Sequence, residues 1–231
     1  MNPDIKKNSI IRLFNVSKRY NGKFALKDIN LDIEQGEFIL ISGPSGAGKS
    51  TLLKVLYLAE RVSEGQILID GMNLARISSS RLPLLRRRFG MVFQDFKLIP
   101  NRTVYENVAL VLEAAGQKPD YIRKKVMQVL RTTDMDKKVK SFSPSLSGGE
   151  QQRVAVARAL VGEPSIILAD EPTGSLDAKS AQAVLDFIME YHKKGATVLI
   201  ASHNLHLLES TVRGRNIEIT EGTIKRTATM L

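Results

Sequence analysis

Gly43-Pro44-Ser45-Gly46-Ala47-Gly48-Lys49-Ser50-Thr51 is the stretch that most restricts what this chain can become. It is entered from the apolar run Ile39-Leu40-Ile41 and leads into Leu52-Leu53-Lys54-Val55-Leu56. The spacing is G-x-x-x-x-G-K-S, a strand passing through a glycine-rich turn into a helix, and its chemistry is that of a phosphate-binding loop. A polyphosphate carries several negative charges, and consecutive backbone N–H groups converge on them only where side chains do not intrude. Gly43, Gly46 and Gly48 give that room. Lys49 adds a point charge for the outer phosphates, and Ser50 offers a hydroxyl to Mg²⁺. The helix beginning here aims the positive end of its dipole at the anion. A glycine-rich turn with a chance lysine is the plain alternative, and the complete pattern between an apolar strand and an apolar helix speaks against it.

The chain has 231 residues, enough for one large domain or two small ones with a real core. Its hydrophobic share of 43% and charged share of 25% are those of an ordinary globular protein. No apolar run approaches the roughly 20 residues that span a bilayer. The start, Met1-Asn2-Pro3-Asp4-Ile5-Lys6-Lys7, lacks an apolar signal core, so the expectation is an unexported protein. With no cysteine, disulfides, zinc–thiolate sites and thiol nucleophiles are excluded. The net charge of +10 favours an anionic partner, nucleic acid or a lipid headgroup surface. The basic residues fall in small groups, Arg86-Arg87-Arg88, Arg123-Lys124-Lys125 and Lys137-Lys138, which are commonly solvated helix faces.

Period-two alternation over 10–16 and 26–33 predicts two half-buried antiparallel strands, with Gln35-Gly36-Glu37 turning the chain into the loop strand. Between them lies the basic turn Lys18-Arg19-Tyr20-Asn21-Gly22-Lys23, whose aromatic Tyr20 suits stacking on a purine ring. A short strand is expected at 65–71, a basic helix around 82–88, and a strand at 89–94 ending in Gln94, which is either a carbonyl ligand for Mg²⁺ or water or simply a turn residue. Helical spacing over 103–115 opens with the capping box Thr103-x-x-Glu106 and ends at Gly116. A second helix from Pro119 places Ile122, Val126, Val129 and Leu130 on one face. These helices lie between strand-rich regions, as an inserted helical subdomain would, and the Ser-rich stretch 134–146 reads as a connector.

Ser147-Gly148-Gly149-Glu150 is again a capping box, but its glycine pair weakens a helix start by up to about 1 kcal/mol per residue. Two glycines there imply that something approaches the backbone closely, and a bare helix N-terminus is a second anion site. Ser165-Ile166-Ile167-Leu168-Ala169-Asp170-Glu171 is an apolar strand ending in two acids, the pattern of a parallel strand covered on both faces. Ligands gather at the carboxyl ends of such strands. Asp170 is the natural Mg²⁺ partner of Ser50, and Glu171 is left to orient or deprotonate a water. A loop over 172–177 precedes a helix carrying Ala181, Val184, Leu185, Ile188 and Met189. A third buried strand, 196–202, delivers His203, whose imidazole is placed to hydrogen-bond a terminal phosphate. His192 and His206 read as surface residues on helices. A hairpin over 216–224 closes the chain.

Taken together, Leu146-Ser147-Gly148-Gly149-Glu150 before an Ile-Ile-Leu-Ala-Asp-Glu strand, in a chain with this phosphate loop, resembles the ABC-type ATPases over about 11–226. The resemblance implies an α/β fold: a RecA-like P-loop NTPase core with a mainly parallel sheet, an N-terminal antiparallel β-subdomain and an inserted α-helical subdomain at about 95–160. Residues 10–228 would form one ABC ATPase domain. It implies Mg-ATP hydrolysis with Tyr20 stacking on adenine. The loop Gly43, Pro44, Ser45, Gly46, Ala47, Gly48, Lys49, Ser50 and Thr51 would hold the phosphates, while Ser50, Gln94 and Asp170 hold Mg²⁺. Glu171, His203 and Lys49 would carry catalysis. It further implies head-to-tail homodimers in which Ser147, Gly149 and Asp177 reach the partner's nucleotide. Glu150 stands where glutamine is common and still caps its helix.

Within the family, residues 46–54, 86–90 and 93–108 most resemble the branch serving bacterial cell division. Its members are peripheral ATPases on the cytoplasmic face of the inner membrane, paired with an integral membrane protein. The branches for lipoprotein release and macrolide export share the Glu171-Pro172-Thr173-Gly174-x-Leu176-Asp177 run. Chromosome and repair ATPases resemble the family too, but they carry coiled coils, zinc modules or tandem halves, which this chain lacks. Nucleic acid is thus the lesser expectation, and an anionic lipid surface is a use for the basic groups.

Overall fold

A computed structural model describes residues 9–174, 176–203 and 213–230. The chain divides into two compact units: one built from residues up to Arg86 together with those from Ala201 onward, the other from Arg87–Ile200. His206 lies outside the described residues.

The first unit contains an antiparallel sheet in the order β2-β1-β4-β5, formed by β1 (Ser9–Tyr20), β2 (Lys23–Glu34), β4 (Glu64–Ile69) and β5 (Met72–Asn73). In β2 the alternation holds from Asp28 onward, with Ile29, Leu31 and Ile33 buried and Asp28, Asn30 and Asp32 exposed, but breaks where Lys27 and Asp28 are both exposed and Asp28 has a φ of 51°. The expected basic turn at 18–23 is a correction. Lys18, Arg19 and Tyr20 belong to β1, with Tyr20 opposite Lys23, and only Asn21 and Gly22 turn. Both have positive φ, 49° and 79°, the type I′ geometry whose twist matches that of the flanking strands. The same device recurs at Asp70-Gly71 between β4 and β5.

The unit also holds β3 (Phe38–Ser42), which pairs in parallel with β9 (Gly214–Thr220), itself antiparallel to β10 (Thr223–Met230) through the Glu221-Gly222 turn. Every residue of β3 is buried. It delivers the chain to α1 (Lys49–Leu56), whose Leu52, Leu53, Val55 and Leu56 pack inward. The short helix α2 (Leu82–Arg86) ends the first segment.

In the second unit β6 (Phe89–Val92) and β7 (Ile166–Asp170) pair in parallel, with β8 (Thr197–Ala201) next to β7. Among the described residues they are accompanied by the α-helices α3 (Val104–Ala114), α4 (Pro119–Thr132), α5 (Gly148–Leu160) and α6 (Ala178–Lys193). The capping box predicted for α3 is present, with Glu106 accepting from the Thr103 amide at 2.7 Å and Thr103 Oγ1 accepting from the Glu106 amide at 3.2 Å. Gly116, at φ 72°, ends the turn after α3. On α4 the buried residues are Ile122, Val126, Val129 and Leu130, the face expected from their spacing. His192 departs from expectation: it is half-buried and its Nδ1 lies 3.1 Å from the Ala196 carbonyl, tied to the turn that follows α6.

Two guanidiniums of the first basic group are anchored to the backbone, though both residues are exposed. Arg86 donates to the Leu58 carbonyl and Arg87 to that of Ala114, the last residue of α3. That helix has no basic residue in its own last turn, so Arg87 answers its dipole from outside. Among the described residues no helix is long and apolar enough to cross a membrane.

Candidate functional site

In the first unit the loop between β3 and α1 owes its shape to its glycines. Gly43, Gly46 and Gly48 all have positive φ, at 137°, 77° and 109°. A Cβ on Gly43 would stand 1.9 Å from the Ile219 carbonyl oxygen, and one on Gly48 would stand 2.4 Å from that of Ala25. Nothing lies within 4 Å of a Cβ on Gly46. Two of the three glycines are therefore demanded by β9 and β2 packing on the loop, and Gly46 alone is there for its backbone geometry. Pro44, Ser45 and Gly46 are exposed, while Ala47 is buried and donates to the Pro44 carbonyl.

Lys49 is only 6% exposed, and its ammonium donates to the carbonyls of Gly43 at 2.8 Å and Pro44 at 3.0 Å. Its charge is thus held inside the curl of the loop. Ser50 and Thr51 occupy the first turn of α1, both partly exposed. Tyr20, at the end of β1, is 39% exposed, and the Lys18 ammonium sits 4.8 Å from its ring centroid. Lys18 in turn is fixed by Glu60 at 2.9 Å and by the Arg61 carbonyl. After β8, Ser202 is 1% exposed and its amide donates to the Ile41 carbonyl of β3. The next residue, His203, is exposed. Backbone pairing to β3 thereby fixes where the chain carries that imidazole.

In the second unit Gln94 is exposed in a turn just beyond β6. The loop after it is held from two sides that the sequence did not reveal. Asn107 of α3 is fully buried, its Nδ2 donating to the carbonyls of Ile99, Arg102 and Thr103 and its Oδ1 accepting from the Ile99 amide. Arg158 of α5 forks onto the carbonyls of Phe96 and Lys97, and burial pushes the guanidinium below its ordinary value. Phe96 and Lys97 both have positive φ, so Arg158 holds them in a conformation that L-residues otherwise avoid.

Asp170 is the last residue of β7, and Glu171 follows at φ 45°, another left-handed position for a side-chain-bearing residue. Both are partly exposed. Asp177 is exposed and caps α6: its Oδ1 accepts from the Ser180 amide at 3.0 Å and its Oδ2 from the Ser180 hydroxyl at 2.6 Å. Those bonds hold its carboxyl below the ordinary range. Ser147 caps α5 and is exposed, as is Gly148. The box uses the amides of Ser147 and Glu150, which leaves those of Gly148 and Gly149 at the open end of the helix. Glu150 also takes the Lys138 ammonium at 2.6 Å, and this pair with the Ser147 amide pulls its carboxyl down. A Cβ on Gly149 would meet Ser180 Oγ at 2.8 Å. One close approach to the glycine pair therefore comes from within the chain.

No group of three His, Cys, Asp or Glu side chains gathers to hold a metal among the described residues. Ser50 in the first unit, and Gln94 and Asp170 in the second, each offer a hard oxygen, the donor chemistry that suits Mg²⁺. A separate cleft of about 400 Å³ in the second unit is lined by Lys125, Glu163, Glu190, Tyr191 and Lys194 among others and contains none of these residues. There burial, followed by Glu163 and Glu190, raises the Tyr191 phenol to about 12.

A phosphate loop opening α1, a parallel strand ending in Asp170-Glu171 and a capped Ser-Gly-Gly helix start are the parts of a nucleotide-hydrolysing cassette. The family model described as ABC transporter matches residues 26–174, and the chain belongs to that family as an ABC-type ATPase. Among curated relatives it is 45% identical to the cell division ATP-binding protein FtsE of Bacillus subtilis, over 94% of this chain and 95% of the relative. It is 44% identical to FtsE of Escherichia coli, over 86% and 90%. Among solved structures it is similar to a dimeric ATP-binding cassette in a post-hydrolysis state bound to ADP and Pi, with TM-score 0.89, 35% identity and coverage of 96% and 99%. It also resembles cbiO1 of Clostridium perfringens, part of the ABC transporter complex cbiONQ, at TM-score 0.85 and 30% identity, covering 96% and 89%.

Proposed function

We propose that this chain is the FtsE-type ATPase of bacterial cell division. It would act as a head-to-tail homodimer beneath an FtsX-like integral membrane partner, at the cytoplasmic face of the inner membrane. ATP closes the dimer, hydrolysis and release reopen it, and the partner converts that motion into activation of cell-wall hydrolases outside. The domain spans 10–228, with the helical subdomain at about 95–160.

In this reading Tyr20 stacks on adenine, and the amides of Gly43–Thr51 with Lys49 take the phosphates. Ser50, Gln94 and Asp170 would hold Mg²⁺, which when bound would supply charge neutralisation at the outer phosphates. Glu171 orients the attacking water and takes its proton, and His203 donates to the terminal phosphate. Ser147 and Gly149 offer the open end of α5 to the partner's nucleotide, and Asp177 lines the same junction. The observation that carries the two-subunit reading is that open end. Ser147 and Gly148 are exposed, their turn keeps two amides without helical acceptors, and a triphosphate is the anion this family provides.

Glu171→Gln tests it. The variant is expected to bind Mg·ATP, to hydrolyse it at least about a hundredfold more slowly, and to accumulate as a dimer in size-exclusion chromatography with light scattering. Normal turnover would remove Glu171 from its role. An ATP-loaded variant that stays monomeric at every concentration would remove the dimer.

A further inference from the structure

Gln152 is 1% exposed on α5, among the buried residues Val154, Ala155, Val156 and Ala157. Its Nε2 donates to the Pro172 carbonyl at 2.8 Å, and its buried Oε1 has no partner among the described residues. Turning the amide over would set Oε1 against the Pro172 oxygen, two acceptors face to face, so chemistry fixes the orientation. A buried amide with one end unmet is a standing cost to stability, and an apolar side chain of the same size would avoid it. Something other than stability therefore accounts for Gln152.

What it grips is informative. Pro172 follows Glu171, so the carbonyl held by Gln152 lies one residue beyond a carboxylate whose backbone sits at φ 45°. On the other side of the same loop, Ser180 bonds Asp177 through both its amide and its hydroxyl and packs on Gly149 so closely that a Cβ there would stand 2.8 Å from its Oγ. The Ser147–Gly149 turn is thus joined twice to the segment from Glu171 to Asp177, by Gln152 to Pro172 and by Gly149 through Ser180 to Asp177.

We infer that Gln152 is a positioning residue that couples the two nucleotide sites. When Ser147 and Gly149 engage the partner's nucleotide, the Gln152–Pro172 bond sets the backbone that carries Glu171 toward the chain's own. The inference rests on the head-to-tail reading above. That reading already entails cooperative hydrolysis; what is added is its route, the Gln152–Pro172 hydrogen bond between the α5 turn and the segment bearing Glu171.

The test compares wild type with Gln152→Met, which keeps the length and apolar bulk and removes the donor. Affinity for a fluorescent ATP analogue, kcat, the Hill coefficient for ATP and thermal stability are measured on each full chain. Gln152→Met is expected to bind nucleotide within about twofold of wild type, to lose about tenfold or more in kcat, and to drop its Hill coefficient to one without losing thermal stability. A folded Gln152→Met with wild-type kcat and Hill coefficient overturns the inference, as does a variant whose only change is a lower melting temperature. Should Gln152→Met fail to fold, Ser180→Ala, at a half-buried position, carries the same expectation and the same refutation. The dimer reading fails separately: Glu171→Gln that never dimerises with ATP sinks the arrangement itself, whereas a dimer with an uncoupled wild type sinks only the role of Gln152.

Discussion

At the scale of single residues, the glycines of the phosphate loop are not equivalent. Gly43 and Gly48 are pinned by carbonyl oxygens 1.9 and 2.4 Å from where a Cβ would stand, but Gly46 faces open space. Gly46→Ala meets only the left-handed penalty, about 1–2 kcal/mol. Gly43→Ala adds a backbone clash that β9 must move to relieve, so it is expected to cost more than about 4 kcal/mol. Urea unfolding of the two variants separates them. Equal costs would mean that the loop, not β9, yields. The sequence pattern could not rank these glycines, because the oxygens that exclude a side chain come from Ala25 and Ile219, distant in the chain.

Among elements, α5 concentrates both what was legible in the sequence and what was not. Its start was readable because a capping box is local: Ser147 and Glu150 are three residues apart and satisfy each other's amides. The hairpins are readable too, but the basic residues around Tyr20 read as turn whereas Asn21 and Gly22 alone make it. Arg158, Asn107 and Gln152 were not readable as positioning residues, since each acts on backbone groups outside its own helix and a backbone carbonyl leaves no mark in a sequence, while Ser180 acts on Gly149 by packing alone. Lys138 is hidden for another reason: it reaches the Glu150 carboxylate across 12 positions, a side-chain pairing that is not local.

That contact carries a pH dependence. The Lys138 ammonium and then the Ser147 amide hold the Glu150 carboxyl below its ordinary 4.5. A carboxyl more acidic in the native than in the unfolded state contributes stability that is complete above about 4.5 and lost as pH falls through the lower native value. Glu150→Gln is therefore expected to be less stable than wild type at about pH 6, with the gap closing toward about pH 3. Urea midpoints at both values check this, and a gap that widens on acidification would contradict it.

For the whole molecule, the net charge of +10 is what remains once every ion pair has cancelled, although several of the basic groups are locally fixed. Lys18, Lys125 and Lys138 each hold a carboxylate, and Arg86 and Arg87 hold backbone carbonyls. If each active site needs a second chain, specific ATPase activity should rise with protein concentration and then level off, whereas a self-sufficient subunit would show constant specific activity. Assays across about three decades of concentration at saturating ATP decide between these, the expected midpoint lying where light scattering shows half of the Glu171→Gln protein paired.

The ion pair at the mouth of α5 has one more implication. A carboxylate beside a turn built to receive an anion would repel what the turn is for, and the lysine 12 positions upstream cancels that repulsion. A homologue carrying glutamine at the Glu150 position needs no such neutraliser. Positions 138 and 150 should therefore drift through descent as one inherited character, lysine and glutamate kept or abandoned together.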